Sequence, residues 1–176
     1  PHPDLVARLG EDRHLGLGNN ARRALVPGCG LGHDAEALAK AGWEVTAVDF
    51  AAELEPLVRG RFGPLGCRFF AEDALTFSDD EPYDLLFDHT FFCAVHPEDR
   101  PKFGDLAARL VKPGGRVCSI VFPAGKQTEA GGPPWGMVTE DLASALGPDF
   151  DRVEDSPVTY CGHPSWEERW ASFARA

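Results

Sequence analysis

The run ALVPGCGLGHD, residues 24–34, decides how this chain is read. Residues 24–27 form a short apolar run of the kind that makes a buried strand. Three glycines follow at alternate positions, Gly28, Gly30 and Gly32. Glycine tolerates positive φ and lets a ligand approach the backbone. Residues 33–41 then read as a helix, with Ala35, Leu38 and Ala39 at helical spacing and Gly42 as its stop. Strand, glycine turn and helix in that order make a β–α unit open to a ligand. A dinucleotide fingerprint needs its third glycine at position 33, where His33 stands instead, so a pyrophosphate-binding turn is disfavoured. The pattern suits a cofactor without phosphates, its amino-acid tail lying across the turn.

Outward from that run, strand and helix patterns alternate. Residues 44–48 read as a second strand, and 51–62 as a helix interrupted near Pro56. Residues 67–71 make a third strand, and 83–87 a fourth. Pro97 can open a helix, with Glu98 and Asp99 in its first turn. Phe103, Leu106, Ala107 and Leu110 give it one apolar face, and KPGG at 112–115 ends it. Residues 116–122 make a fifth strand, followed by a glycine- and proline-rich loop over 123–137. Thr139 is expected to cap a short helix through Ala145, and residues 152–160 and 169–175 are weaker strand candidates. No internal repeat or linker interrupts the chain, so one α/β domain is expected, with an open parallel sheet covered by helices on both faces. Ligands in such sheets bind beyond the carboxyl ends of the strands. That places the chemistry at residues 27–32, Asp49, Asp73, 88–96 and the loop after Phe122.

Asp49 ends the second strand, about 20 residues after the first glycine, where a carboxylate can accept both ribose hydroxyls of a nucleoside. Its bland alternative is a cap on the next helix. Asp73 follows the third strand in AEDAL. Its carboxylate can take an adenine amino group while the Ala74 N–H meets a ring nitrogen.

The net charge of -11, from 28 acidic and 17 basic residues, argues against a nucleic-acid partner. The apolar runs are too short to span a bilayer. Five cysteines, an odd count without CxxC spacing, argue against a metal site or disulfide frame, and a reducing cytoplasm is the expected setting. The first residue, Pro1, is not a methionine, and the N-terminus is expected to be clipped or partly unobserved.

VPGCG at 26–30, GHD at 32–34, FDHTFFCAVHPEDRP at 87–101 and GGPPW at 131–135 resemble the thiopurine S-methyltransferase superfamily, and within it the halide and thiol methyltransferases. The likeness runs over about residues 25–150. It implies a Rossmann-like class I methyltransferase fold with a mostly parallel seven-stranded sheet. It also implies S-adenosyl-L-methionine as donor and S-adenosyl-L-homocysteine as product. Gly28 matches the family contact to the methionine part, with Gly30 in the same turn. Asp49 matches the ribose ligand, and Asp73 with Ala74 the adenine pair. His89 falls where relatives place tyrosine or arginine beside cofactor and acceptor. Relatives carry N-terminal tryptophans that close over the cofactor, whereas the first tryptophan here is Trp43. That lid is expected to be missing or to lie upstream of Pro1.

The expected activity is methyl transfer to a small thiol, sulfide, halide or thiocyanate. The chain is expected to be a monomer or weak dimer, with no membrane partner. Such a reaction is an in-line displacement that needs alignment and water exclusion rather than a nucleophilic residue. His89 can orient the acceptor or take its proton, or simply pack at a strand end. Trp135, in the glycine/proline loop, is the candidate wall of the acceptor pocket, and Phe91 and Phe92 fit a wall or the core equally. Arg100 matches a family arginine near the active-site face and also fits an ion pair with the acidic turn before it; Lys126 fits a solvated loop position or an anion contact; Cys93 reads as a buried thiol rather than a covalent nucleophile. Three other readings stay open: a non-catalytic module that binds the cofactor, a methyltransferase for aryl thiols or metalloids, and a nicotinamide oxidoreductase, which His33 disfavours.

Overall fold

The computed structural model describes residues 1–159 and 165–176. Its order is α1 (Pro3–Glu11), β1 (Arg23–Pro27), α2 (His33–Lys40), β2 (Glu44–Val48), α3 (Glu55–Phe62), β3 (Arg68–Phe70), β4 (Tyr83–His89), α4 (Arg100–Leu110), β5 (Val111–Ala124), α5 (Thr139–Leu146), β6 (Phe150–Pro157) and β7 (Glu167–Arg175). The seven strands lie in the order β3-β2-β1-β4-β5-β7-β6. The first five are parallel, and β7 runs antiparallel to both of its neighbours. The expected seven-stranded, mostly parallel α/β sheet is the observed one.

Both faces of the central strands are buried, as a parallel sheet under two helix layers requires. In β1, Ala24 and Val26 face one core with Leu38, Val58 and Phe62, while Leu25 faces the other with Phe103, Leu106 and Leu142. Thus α1, α2 and α3 cover one face, and α4 and α5 the other. Gly104 lets α4 and α5 cross closely, because a Cβ there would drive into the Ala145 carbonyl.

Several local expectations meet a different outcome. No element was expected before residue 24, yet α1 forms there. His2 caps it, its Nδ1 accepting the Asp4 N–H at 3.1 Å, and Leu5 is fully buried. Nine residues with so few apolar positions give a weak pattern; tertiary docking supplies the stability. The break expected near Pro56 is a change of helix type, from a 3-10 turn at Ala52–Leu54 to α3, in whose first turn the missing N–H of Pro56 costs nothing. KPGG does not end a helix: α4 stops at Leu110, and the four residues form a bulge inside β5 between the Tyr83–Val111 and Leu85–Arg116 pairs. Thr139 does not cap α5. Asp141 Oδ2 accepts the Val138 N–H at 2.8 Å instead, and the buried Thr139 hydroxyl has no partner among the described residues. The strand candidate over 152–160 is β6, displaced to Phe150–Pro157, and its expected last residue, Tyr160, lies outside the described residues.

Candidate functional site

The chain leaves β1 for β2 on one side and later returns to β4 on the other, so the switch point lies at the carboxyl ends of β1 and β4. Register aligns Pro27 with Val48, and Val48 with Phe70. Gly28, Asp49 and the 71–74 segment therefore emerge side by side. Gly28 and Gly30 hold φ at +58° and +51°, which only glycine adopts readily. They do different work. A Cβ on Gly28 would press into the Phe91 ring, whereas a Cβ on Gly30 would meet nothing. Gly30 is thus the open point of the turn.

Asp49 clasps that turn. Its Oδ2 accepts the Gly30 N–H at 2.8 Å, and its Oδ1 accepts the Ala51 N–H at 3.0 Å. Each carboxylate oxygen has two lone pairs, so both keep one for a ligand. Asp73 is exposed; its Oδ1 accepts the Leu75 N–H at 2.9 Å. Ala74 is buried, and its N–H makes no hydrogen bond among the described residues. Phe50, next to Asp49, is 82% exposed, the most exposed large apolar side chain described. The sequence reading passed it over, although an aromatic residue directly after a strand-end aspartate was a visible signal.

His89 ends β4. Its Nδ1 lies 2.7 Å from Asp34 Oδ2, in the first turn of α2. Burial disfavours a charged ring, but the Asp34 carboxylate, with Asp88 and Glu168 behind it, outweighs burial and raises the His89 pKa. Burial likewise pushes Asp34 up, but hydrogen bonds from His89 and from the His2 N–H win, and its pKa falls below the carboxylate norm. The pair's stabilisation is therefore complete between about pH 4 and about pH 6.5. It is lost as pH rises through the raised His89 value, and as pH falls through the lowered Asp34 value. The gap in Tm between wild type and His89→Gln should accordingly be widest near pH 5–6 and shrink by about pH 9. A gap that does not change with pH removes the ion pair.

After His89 the chain turns sharply. Thr90 holds φ at +69°, a strained conformation costing a β-branched residue about 1–3 kcal/mol. The buried Asp88 carboxylate holds the turn by accepting the Phe91 and Phe92 N–H groups, each at 3.0 Å, and the Ser119 hydroxyl at 2.6 Å. A charge inside the apolar run YDLLFDH was the signal for it. The Trp135 backbone N–H donates to the Cys93 carbonyl at 2.7 Å, and the indole ring stands edge-to-face on His96 at 4.7 Å. Trp135 thus docks its loop on the segment after β4. None of its hydrogen bonds or ring contacts reaches His89, Asp49 or Asp73.

The family described as "Methyltransferase domain" matches residues 24–115. Over 175 residues the chain is 32% identical to thiocyanate methyltransferase 1 of Brassica oleracea, covering 94% of this chain and 75% of that one. Over 148 residues it is 35% identical to a probable thiol methyltransferase 2 of Arabidopsis thaliana, covering 82% of this chain but only 63% of that one. This chain belongs to the thiopurine S-methyltransferase superfamily, beside the thiol and thiocyanate methyltransferases. The N-methyltransferase NodS of Bradyrhizobium japonicum shares the fold, with a TM-score of 0.75 at 19% identity, covering 99% of this chain and 97% of that one. The sheet is therefore that of the class I S-adenosylmethionine-dependent methyltransferases.

Other side chains near the turn are held by contacts within the protein. Arg100 does not pair with the acidic turn before it. Its guanidinium is buried, donates to the Gly136 carbonyl at 2.8 Å, approaches Asp141 at 3.6 Å and lies over Phe92. It staples the 123–137 loop to α4. Lys126 is half-buried rather than solvated, donating to the Pro134 carbonyl at 2.6 Å. Phe92 is fully buried in the core, and Phe91 sits between Gly28 and Phe103. Burial and the Asp88 charge push the Cys93 thiol up to about 12, so it stays protonated at neutral pH. Cys29, Cys67 and Cys118 are also free thiols, and Cys161 lies outside the described residues. Among the described residues, no helix is long and apolar enough to cross a membrane.

Proposed function

We propose that this chain transfers a methyl group from S-adenosylmethionine to a small soft nucleophile, a thiol, sulfide, halide or thiocyanate. The observation that carries the reading is the turn at the switch point, open at Gly30 and clasped by Asp49. The carboxylate that holds the turn is Asp49, at the end of β2, whereas Asp34 in the helix after the turn is tied to His2 and His89. A pyrophosphate would meet that negative charge, whereas a ligand with a sulfonium and an ammonium group is attracted by it. The spare lone pairs of Asp49 suit ribose hydroxyls, the free Ala74 N–H suits a ring nitrogen, and Phe50 offers a face for a base. Gly30 leaves room for the amino-acid part. Relatives named thiol and thiocyanate methyltransferases support a thiol or thiocyanate acceptor, and sulfide and halide are proposed beside them as nucleophiles of the same soft kind.

S-adenosylmethionine, when bound, supplies an electrophilic methyl group. The chain's own task is then alignment and exclusion of water. Cys93, held protonated, takes no covalent part. Calorimetry should detect saturable S-adenosylmethionine binding, and sealed vials with iodide, thiocyanate, hydrosulfide or an alkyl thiol should yield methylated product. Absence of binding sinks the reading, and binding without product from any acceptor leaves a non-catalytic module.

Phe50 gives a sharper check. An aromatic ring stacked on a base contributes about 1–3 kcal/mol. Phe50→Ala should weaken S-adenosylmethionine by that amount and leave the ligand-free Tm where it was, because the ring is almost wholly exposed. Unchanged affinity removes the stacking role.

A further inference from the structure

Resting on the proposed methyl transfer, we infer that Asp34 is a positioning residue that fixes His89 with its Nδ1 proton toward Asp34 and its Nε2 lone pair free, so that His89 takes the proton from a neutral thiol acceptor. Asp34 is held from two sides. Its Oδ1 accepts the His2 N–H at 2.6 Å, and its Oδ2 meets His89 Nδ1 at 2.7 Å. His2 is itself locked. Its Nδ1 accepts the Asp4 N–H, so its Nε2 carries the proton and faces Glu168 at 3.2 Å, while its ring stands edge-on to that of His89 at 5.2 Å.

The tautomer of His89 follows from donor and acceptor counting. An ionised carboxylate only accepts, so the proton of a neutral His89 sits on Nδ1. Nε2 then has a lone pair, and it makes no hydrogen bond among the described residues. The groups facing the ring are Asp34 from α2, Asp88 beside it in β4, Glu168 from β7 and His2 from the segment before α1.

The same geometry decides between two uses of a histidine here. A ring meant to hold an anionic acceptor gains little from a carboxylate that cancels its charge at 2.7 Å. A ring meant to take a proton gains directly, because the carboxylate orients it and stabilises the imidazolium that forms. The step balances. The acceptor's S–H bond breaks and its proton goes to Nε2. The freed sulfur lone pair forms the new S–CH3 bond as the methyl leaves the donor's sulfonium sulfur, which departs as a neutral thioether. The imidazolium later returns its proton to water. Thiocyanate and iodide carry no proton and bypass His89 as a base.

That difference supplies the test. Asp34→Asn lets the amide donate to Nδ1 and moves the ring proton to Nε2. The ratio of kcat/KM for ethanethiol to that for thiocyanate should fall roughly 10-fold or more, within the range for a misplaced general base. The ascending limb of the thiol pH profile should also move to lower pH. A ratio that stays at the wild-type value while both rates fall together overturns the inference and leaves methyl transfer standing. Wild-type protein that methylates thiocyanate but no thiol overturns it as well. Wild type that methylates nothing overturns the methyl-transfer reading beneath it. Nitrogen NMR of the ligand-free wild type needs no variant. Neutral His89 should carry its proton on Nδ1 and titrate above about 6.5; an Nε2–H tautomer overturns the assignment.

Discussion

Asp49→Ala is expected to weaken S-adenosylmethionine binding by about 1.5–3 kcal/mol, roughly 12- to 160-fold in Kd. Two losses combine. The proposed ribose hydroxyls lose a charged acceptor. The Gly30 and Ala51 N–H groups also lose the oxygens that hold them at 2.8 and 3.0 Å. The second loss acts without ligand, so the ligand-free Tm should fall too. Asn at the same place keeps one accepting oxygen and turns the other into a donor, so it should fall between. Calorimetry and melting curves on the three proteins separate the effects. A lower Tm with unchanged affinity makes Asp49 a turn clasp and ends its ribose role.

That double role explains why Asp49 was only half legible in the sequence. Its spacing from Gly28 and its place at a strand end marked it. Its bond to Gly30 did not, because a one-dimensional pattern cannot show that β2 runs beside β1 in the register that sets Val48 against Pro27. The same limit hid the Asp34–His89 pair, whose members lie 55 positions apart. Each was visible alone, at the end of the GHD run and at the end of β4. Only the sheet order, which sets β4 next to β1 and so beside the start of α2, joins them. Trp135 shows the converse. Its loop drew attention to it, but its contacts are with Cys93 and His96.

The centre of the sheet was legible because β1, β2 and β4 are short apolar runs buried on both faces, β1 closed by Pro27 and Gly28 and β2 by Asp49. What the pattern misplaced were elements fixed by tertiary contacts. The first helix depends on burial of Leu5 and on the His2 and Asp4 contacts. The KPGG segment keeps a strand going past two glycines because Val111 has Tyr83 as a partner. Capping of α5 fell to Asp141 rather than Thr139, since the hydroxyl was drawn into the core. Local propensity ranked those positions plausibly, and packing overrode it.

Gly28→Ala is expected to destabilise the protein by about 2–5 kcal/mol, from two separable sources. A left-handed backbone costs an L-residue about 1–2 kcal/mol, and an added methyl in a filled space costs about 1–3 kcal/mol. For a domain of this size each kcal/mol lowers Tm by about 2–4 °C, so melting curves resolve both. Removing the ring in Gly28→Ala/Phe91→Ala should relieve the clash but not the φ penalty at +58°. The cycle of single and double variants should therefore show a coupling of about 1–3 kcal/mol, as for residues in contact. Strictly additive costs remove Phe91 from the turn. A Gly28→Ala protein that melts like wild type yet binds no S-adenosylmethionine makes Gly28 a ligand contact alone. The coupled outcome means more for function. Phe91 is pinned by Asp88 through its N–H at 3.0 Å and packs toward Phe103 in α4. The glycine turn would then be set from the β4 side, with Gly30 left open because Gly28 is closed.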